Sequence, residues 1–209
     1  MKVKKSYYVI FVLLISFIFL SFVVVKNNNV FLADKSVFDY IINYKSPYLT
    51  SILYPITMLG STLSVILILI ILLFVFYKKD KLFYYKYLLI NTVFSTLLMS
   101  ILKNTIKRPR PEFKWIKQGG YSYPSGHTIT ALVLYGTLIL IVNKTIKGKK
   151  KHILNIILSI IIFLISLSRI YFAAHYFTDV LASILLGFII LIVSSNFIKE
   201  QPHDKNKDK

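Results

Sequence analysis

The stretch SRIYFAAHYFTD (168–179) places three ionisable side chains, Arg169, His175 and Asp179, between two long apolar segments. Ionisable groups close to a bilayer interior are costly and usually mark a functional site. His175 and Asp179 are four residues apart, so on a helix they would share one face and the carboxylate would reach the imidazole. A carboxylate on Nδ1 fixes the tautomer, leaves Nε2 free to attack, and stabilises the imidazolium that develops. The spacing therefore predicts a histidine nucleophile oriented by an aspartate.

A second histidine occurs in the stretch YPSGHT (123–128), where a helix is expected to begin. His127 follows Ser125 and Gly126. The free N–H groups of a helix start can cradle phosphate oxygens, and a glycine lets the backbone approach them closely. His127 would then stand beside the bound group, in a position to protonate a leaving oxygen.

The chain has only three arginines among its 26 basic residues, and all of them fall in these stretches or in KNTIKRPRP (103–111). The planar guanidinium suits bidentate phosphate binding better than an ammonium group does. We expect Lys103, Arg110 and Arg169 to supply the positive charge that a transferring phosphoryl group requires. A lone arginine is usually an interfacial residue and a lone histidine a packing residue, but their joint occurrence favours a phosphoryl-transfer site.

The elements that position these residues are predicted to be membrane-spanning helices. The chain of 209 residues is 56% hydrophobic, with a mean hydropathy of +0.67, which is typical of an integral membrane protein. Several apolar segments have no polar face, which argues against the buried helices of a soluble protein. A span needs about 20 apolar residues, and six segments qualify: 6–25, 52–77, 83–102, 126–143, 153–172 and 178–198.

The first of these segments follows three lysines and could be a signal peptide. It is longer than a usual signal sequence and lacks a small-residue cleavage site, so we interpret it as a retained anchor. Residues 1–199 are predicted to form one membrane domain, and the polar tail 200–209 is predicted to be disordered. No internal repeat supports an inverted-repeat transporter.

Lysine-rich segments indicate the orientation of the chain. Residues 77–86, 144–151 and those after Ile198 share one side of a six-span topology with the N-terminus. This pattern predicts cytoplasmic termini, with the three motifs on the outside. The net charge of +18 is largely explained in this way, so no nucleic-acid partner is expected. The loop 103–125 is basic although it lies outside, and an anionic ligand is the simplest reason.

Three further segments have recognisable character. Residues 36–44 are amphipathic and are predicted to lie along the membrane surface, ended by Pro47. Pro55 and Gly60 are interpreted as tolerable breaks within the second span. The loop 112–123 contains the only tryptophan, Trp115, typical of an interfacial anchor.

In that loop, the pair Gly119-Gly120 would allow movement as a lid. The chain has no cysteine, which excludes disulfides, thiol nucleophiles and cysteine-ligated metals.

The order and spacing of Lys-x6-Arg-Pro (103–111), Pro-Ser-Gly-His (124–127) and Ser-Arg-x5-His-x3-Asp (168–179) resemble the three-part signature of the type 2 phosphatidic acid phosphatase superfamily. That superfamily includes membrane lipid phosphatases, bacterial acid phosphatases and vanadium haloperoxidases, and the six-span layout is similar to the membrane branch. The resemblance implies an all-α fold, a six-transmembrane helix bundle with its active site at the extracytoplasmic face.

The resemblance also assigns roles to residues. It implies that His175 forms a phosphohistidine oriented by Asp179, and that His127 acts as general acid and then as base for water. The residues that would hold the phosphate are Lys103, Arg110, Ser125, Gly126 and Arg169. Ser168 also belongs to the signature and is interpreted as positioning Arg169. Lys107 and Arg108 fall outside the signature and are interpreted as auxiliary attraction for anions.

Other functions account for fewer of these residues. His127, His175 and Asp179 have the residue types of a two-histidine, one-carboxylate metal site, but nearby cations would repel a metal, so no metal or cofactor is expected. An anion or lipid transporter would explain the cations but not the His–Asp pair. Phosphoryl transfer to another lipid instead of water stays open, as does the oligomeric state.

The expected substrate is a lipid phosphate or diphosphate whose tail stays among the membrane lipids. A composition rich in Lys, Ile, Asn, Tyr and Phe is typical of an AT-rich bacterial genome. For a bacterial member of the superfamily, the candidate substrates are undecaprenyl diphosphate, phosphatidylglycerol phosphate and phosphatidic acid.

Overall fold

The computed structural model describes residues 2–26, 32–79, 81–112 and 115–200, and all regular elements within these ranges are α-helices. The all-α prediction is therefore confirmed. The helices are α1 (Lys2–Lys26), α2 (Leu32–Ile42), α3 (Pro47–Met58), α4 (Thr62–Lys78), α5 (Leu82–Ile106), α6 (Gly126–Thr145), α7 (Gly148–Tyr171) and α8 (Phe177–Glu200). The predicted tail beyond Glu200 lies outside the described residues.

The described helices include five that are long and apolar enough to cross a membrane: α1 from Ser6, and α5 to α8. The second predicted span is divided, because α3 and α4 meet at an angle of 53°. The break lies at Gly60 and not at Pro55, which sits inside α3. Ser61 begins the new helix, since its hydroxyl accepts a hydrogen bond from the Ser64 N–H at 3.3 Å. Taken together, the two helices are long and apolar enough for one broken span, so up to six spans are present in the described residues, and one of the two predicted breaks, Gly60, lies at the bend.

The surface segment before this pair also differs from expectation. Pro47 does not end the surface helix: α2 ends at Ile42, and Pro47 opens α3. Ser46 caps α3 by accepting the Leu49 N–H at 3.1 Å, and proline is well suited to a first turn, where its missing N–H has no helical partner. Helix α2 overlaps the amphipathic segment predicted at 36–44 but begins earlier, at Leu32, and its most buried side chain is a carboxylate, Asp34, at 2% exposure.

Helix α6 lies at the centre of the bundle and packs against α5, α7 and α8. Its side chains are buried almost continuously from Thr128 to Thr137. Helices α6 and α8 approach closely through two glycines: a Cβ on Gly136 would lie 2.5 Å from Leu191, and one on Gly187 would lie 2.5 Å from Leu132. Small residues of this kind let membrane helices pack backbone to backbone.

The alternating direction of the spans brings distant motifs to one end of the bundle. The last turns of α5 and α7 lie there, together with the first turns of α6 and α8 and the surface helix α2. Helix α2 packs against both α7 and α8 at this end. The three sequence motifs therefore meet, although some 75 residues separate Lys103 from Asp179.

Candidate active site

A cavity of about 470 Å³ opens at this end of the bundle, beside α4, α5 and α6. Its polar end is lined by Lys103, Arg110, Gly126, His127 and His175, five of the eight predicted site residues. The two imidazoles therefore face the same space, as a shared phosphoryl group would require.

His175 lies in the turn between α7 and α8, and Asp179 lies in the first turn of α8. The two are brought together, but not on one continuous helix as their spacing suggested. The Nδ1 atom of His175 is 3.4 Å from Asp179 Oδ2. This is a close approach without hydrogen-bond geometry, and Nδ1 has no other hydrogen-bond partner among the described residues. Oδ2 also accepts the Tyr176 N–H at 2.9 Å, which fixes its direction.

The other ring nitrogen of His175 reveals its tautomer. Nε2 lies 3.1 Å from Arg110 Nη1, and because a guanidinium can only donate, Nε2 must accept. The proton of the neutral ring is thereby assigned to Nδ1, on the side of Asp179. Burial and the cations Arg110, Arg169 and Lys103 hold the pKa of His175 well below its usual value of 6.5. The ring is therefore neutral at physiological pH, with a lone pair on the atom that faces the cavity.

His127 occupies the first turn of α6, as predicted. Its position depends on the break between α3 and α4, because Gly60 lies directly against it. A Cβ on Gly60 would be 3.3 Å from both the Cβ and the carbonyl oxygen of His127 and 2.9 Å from a methyl group of Ile165. The glycine thus allows the broken helix pair to pack against the first turn of α6.

The cations of the cavity are held by carbonyl oxygens of the loop before α6. Lys103 Nζ donates to the Tyr121 carbonyl at 2.6 Å. Arg110 Nε donates to the carbonyls of Gly119 at 3.1 Å and Gly120 at 3.0 Å. Its Nη1 also donates to the Ala174 carbonyl at 2.6 Å, in the residue before His175. These donors are the ones that a phosphate would use.

Three predicted residues are oriented in ways that their spacing did not reveal. Arg169 is buried, and donates to Thr57 Oγ1 at 2.9 Å and to the side chain of Gln118, which lines the cavity. Ser125 is buried and its backbone N–H donates to the Asp179 carbonyl at 3.2 Å, so this N–H is directed away from a phosphate. Ser168 donates to the carbonyl of Ile165 at 2.6 Å, within its own helix.

The interpretation of Arg108 as auxiliary attraction for anions is wrong. Its side chain is completely buried and forms ion pairs with Asp34 Oδ2 at 2.7 Å and with Asp179 Oδ1 at 2.6 Å. Lys107, in contrast, is exposed at the end of α5. Asp34 belongs to none of the three motifs, and its spacing from Arg108 forms no local pattern. The only signal in the sequence was that the chain has just eight acidic residues. A buried arginine requires an acidic partner, and few candidates were available.

The geometry does not favour the alternative of a metal site. Among the described residues, no three His, Asp or Glu side chains are grouped to hold a metal ion. Asp179 instead forms an ion pair with Arg108 through Oδ1, and its Oδ2 faces His175.

Comparison with known proteins places this geometry in context. The sequence profile described as the PAP2 superfamily matches residues 84–202. Phosphatidylglycerophosphatase B of Bacillus subtilis (strain 168) is 31% identical over 181 residues, which cover 83% of this chain and 87% of that protein. A putative phosphatidate phosphatase of Drosophila melanogaster is 33% identical over 92 residues, covering 42% of this chain and 24% of that protein.

Two crystal structures share the fold. One, described as the first transmembrane PAP2 type phosphatidylglycerolphosphate phosphatase from Bacillus subtilis, superposes with a TM-score of 0.78 at 26% identity, covering 95% of this chain and all of that one. The other, LpxE of Aquifex aeolicus, gives a TM-score of 0.65 at 27% identity and covers 79% of this chain and 96% of that one.

Proposed function

Because the chain belongs to the PAP2 superfamily, as a membrane lipid phosphatase of that type, we propose that it cleaves a lipid phosphate through a covalent bond to His175, without a metal ion. The observation that carries this proposal is the composition of the cavity. Its polar end contains two imidazoles and two cations, and its other walls are apolar side chains of α4 and α5, among them Val65, Ile66, Leu69, Val93 and Leu97.

Such a cavity suits an amphiphile better than a soluble phosphate ester. A phosphate at the polar end would lie against Lys103 and Arg110, while the acyl or prenyl chain would follow the apolar wall between α4 and α5 towards the lipid. Apolar contact along the tail would hold the headgroup in place during the reaction.

The first half of the reaction transfers the phosphoryl group to the protein. Arg110 Nη1 turns from His175 Nε2 to the bound phosphate, the freed lone pair on Nε2 attacks phosphorus, and the bond between phosphorus and the leaving oxygen breaks. His127 donates a proton to that oxygen, so the dephosphorylated lipid leaves as a neutral alcohol, or as a monophosphate when the substrate is a diphosphate. Asp179 stabilises the positive charge that develops on the His175 ring.

The second half returns the protein to its starting state. Water attacks the phosphohistidine, His127 accepts a proton from this water, and the P–N bond breaks to release inorganic phosphate. Lys103, Arg110 and Arg169 stabilise the charge on the equatorial oxygens in both steps. Gly126 supplies backbone at the start of α6, where N–H groups point towards an anion.

The substrate must first displace the loop. Tyr121, Gly119 and Gly120 occupy Lys103 and Arg110 through their carbonyls, and Gln118 occupies Arg169. We therefore assign residues 115–121 the role of a lid, whose oxygens stand in for those of the phosphate until substrate arrives.

Among the three lipids, phosphatidylglycerol phosphate is our first candidate, since a relative that is 31% identical over 83% of the chain is a phosphatidylglycerophosphatase. Undecaprenyl diphosphate and phosphatidic acid present the same phosphate chemistry to the cavity. A phosphate-release panel over the three lipids, with purified protein in detergent, identifies the best substrate by kcat/KM.

The mechanism is tested on that substrate. His175→Ala should abolish phosphate release, because no other neutral imidazole has its lone pair at that position. The matched control is His152→Ala, which removes an exposed histidine of α7 outside the cavity and should leave turnover unchanged. EDTA should have no effect, and vanadate should inhibit. Turnover by His175→Ala would exclude His175 as the nucleophile, and loss of activity in EDTA would exclude a metal-independent reaction.

A further inference from the structure

One buried charge takes no part in the reaction described above. Arg108 is completely buried, two residues before the phosphate-binding Arg110. Its Nη1 donates to Asp179 Oδ1 at 2.6 Å and to Thr178 Oγ1 at 2.7 Å, and its Nη2 donates to Asp34 Oδ2 at 2.7 Å. A guanidinium removed from water in this way is stable only with such partners.

These contacts give the two oxygens of Asp179 different partners. Oδ1 is held by Arg108, and Oδ2 lies 3.4 Å from the Nδ1 of His175. Because a carboxylate is planar, fixing Oδ1 also fixes the direction in which Oδ2 faces the imidazole. The guanidinium is itself held in position by the Tyr176 ring, since its central carbon lies 4.0 Å from the centre of that ring.

Asp34 completes the arrangement from the surface helix α2. Asp34 Oδ1 accepts a hydrogen bond from the backbone N–H of Thr178 at 2.8 Å, and Asp34 Oδ2 accepts one from the Thr178 hydroxyl, also at 2.8 Å. It therefore fixes the residue next to Asp179 at the beginning of α8. Asp34 also competes with Asp179 for Arg108. Because the single positive charge of this guanidinium is divided between two carboxylates, Asp179 is only partly neutralised, and its remaining negative charge can stabilise positive charge on the His175 ring.

We propose that Arg108 and Asp34 are positioning residues that set the direction and the effective charge of Asp179, and through it the reactivity of His175. The inference rests on the proposed function, in which His175 is the nucleophile. It makes the surface helix α2 part of the catalytic apparatus, although none of its side chains lines the described cavity.

The first test is the isosteric change Asp34→Asn, measured with the best lipid phosphate. We expect kcat to fall by about tenfold, because small misplacements of a catalytic group cost up to about a hundredfold. KM, and the inhibition constant of inorganic phosphate, should stay within about twofold, since Lys103 and Arg110 are untouched. The matched control is Asp39→Asn, an exposed aspartate on the same helix, which should leave kcat unchanged.

A double-mutant comparison separates positioning from general support of the fold. In the background of Asp179→Asn, Asp34→Asn should have no further effect on the residual kcat, because its route to His175 is already removed. An equal loss in both backgrounds would overturn the proposal. So would a kcat for Asp34→Asn equal to that of the unsubstituted protein.

If Asp34→Asn does not yield folded protein, Thr178→Val tests the proposal instead. It removes the hydroxyl that contacts both Arg108 and Asp34, and it changes no charged side chain. A severalfold loss of kcat at unchanged phosphate inhibition supports the proposal, and an unchanged kcat overturns it. Failure of the proposed function has a different signature, namely turnover by His175→Ala.

Discussion

At the scale of single residues, the lone pair of His175 is protected from protonation by its surroundings. The cations that face the ring come from three elements: Lys103 from α5, Arg110 from the loop after it, and Arg169 from α7. Asp179 from α8 faces the ring from the opposite side, and His127 from α6 lines the same cavity. The three cations and burial together favour the neutral ring, and this has a consequence for the pH profile.

A lowered pKa means that His175 stays neutral as the pH falls through 6.5, the range in which an ordinary histidine would take up a proton. We therefore expect no fall in kcat/KM, corrected for the ionisation of the substrate, from about pH 7.5 to about 5.5, because His175 stays neutral and protonation of the general acid His127 can only favour the first step. The ionisation of the lipid phosphate is measured separately by ³¹P NMR in the same detergent. A loss of about tenfold per pH unit below 6.5 would show an unshifted histidine and contradict the assigned surroundings.

Sequence spacing predicted that Asp179 approaches His175, but not that its other oxygen pairs with Arg108. His127, His175, Lys103 and Arg110 belong to short motifs, so their intervals alone were informative. Arg108 was misinterpreted because the acid that buries it, Asp34, lies 74 positions away in the chain. A pairing between two such distant residues leaves no local pattern, and only the packing of α2 against α8 makes it visible.

At the scale of elements, the long apolar helices were predictable, but the pattern did not distinguish which of the two predicted breaks, Pro55 or Gly60, is the bend. Hydropathy identifies a segment of about 20 residues but is insensitive to a bend within it. Pro55 is accommodated within α3, whereas Ser61 provides the cap that begins α4. Gly60 at that bend is explained by tertiary packing against His127, which no local preference encodes.

For the lid, residues 115–121, we expect two substitutions of Gln118 to change the inhibition by inorganic phosphate in opposite directions. Gln118→Ala removes an acceptor from Arg169, so phosphate should inhibit the variant severalfold more strongly, given that a hydrogen bond to a charged group contributes about 1.5 kcal/mol. Gln118→Glu adds a carboxylate beside Arg169 and should weaken inhibition by about tenfold. The measurement is the inhibition constant of inorganic phosphate.

The same loop contains a tryptophan whose fluorescence can report its displacement. Trp115 is the only tryptophan of the chain, and it packs against Tyr171 with Lys45 over its ring at 3.8 Å. Its fluorescence should change with phosphate concentration and saturate at the same constant as inhibition does. Equal inhibition constants for both Gln118 variants and the unsubstituted protein would argue against displacement of the lid.

At the scale of the whole molecule, the bundle has two basic ends that differ in how their charges are used. At the site end, Arg108 is paired within the protein, and Lys103 and Arg110 face the cavity. At the other end, the helix connections contain lysines that are exposed to solvent, namely Lys78, Lys79, Lys147, Lys149 and Lys150. Exposed lysines in short connections are retained in the cytoplasm during insertion. We therefore propose that the site faces the outside.

The absence of cysteine in the chain makes this orientation directly measurable. Lys117→Cys introduces a thiol in the exposed loop at the site end, and Lys150→Cys introduces one at the exposed start of α7. In intact cells, a membrane-impermeant maleimide should label Lys117→Cys and should reach Lys150→Cys only after the membrane is permeabilised. Lys150→Cys should retain full phosphatase activity, because it lies far from the cavity. Lys117→Cys lies in the lid, so its residual activity serves only to show that the protein is folded. The reverse labelling pattern would mean that the exposed lysines do not determine the topology, and that the lipid phosphate is cleaved on the cytoplasmic side.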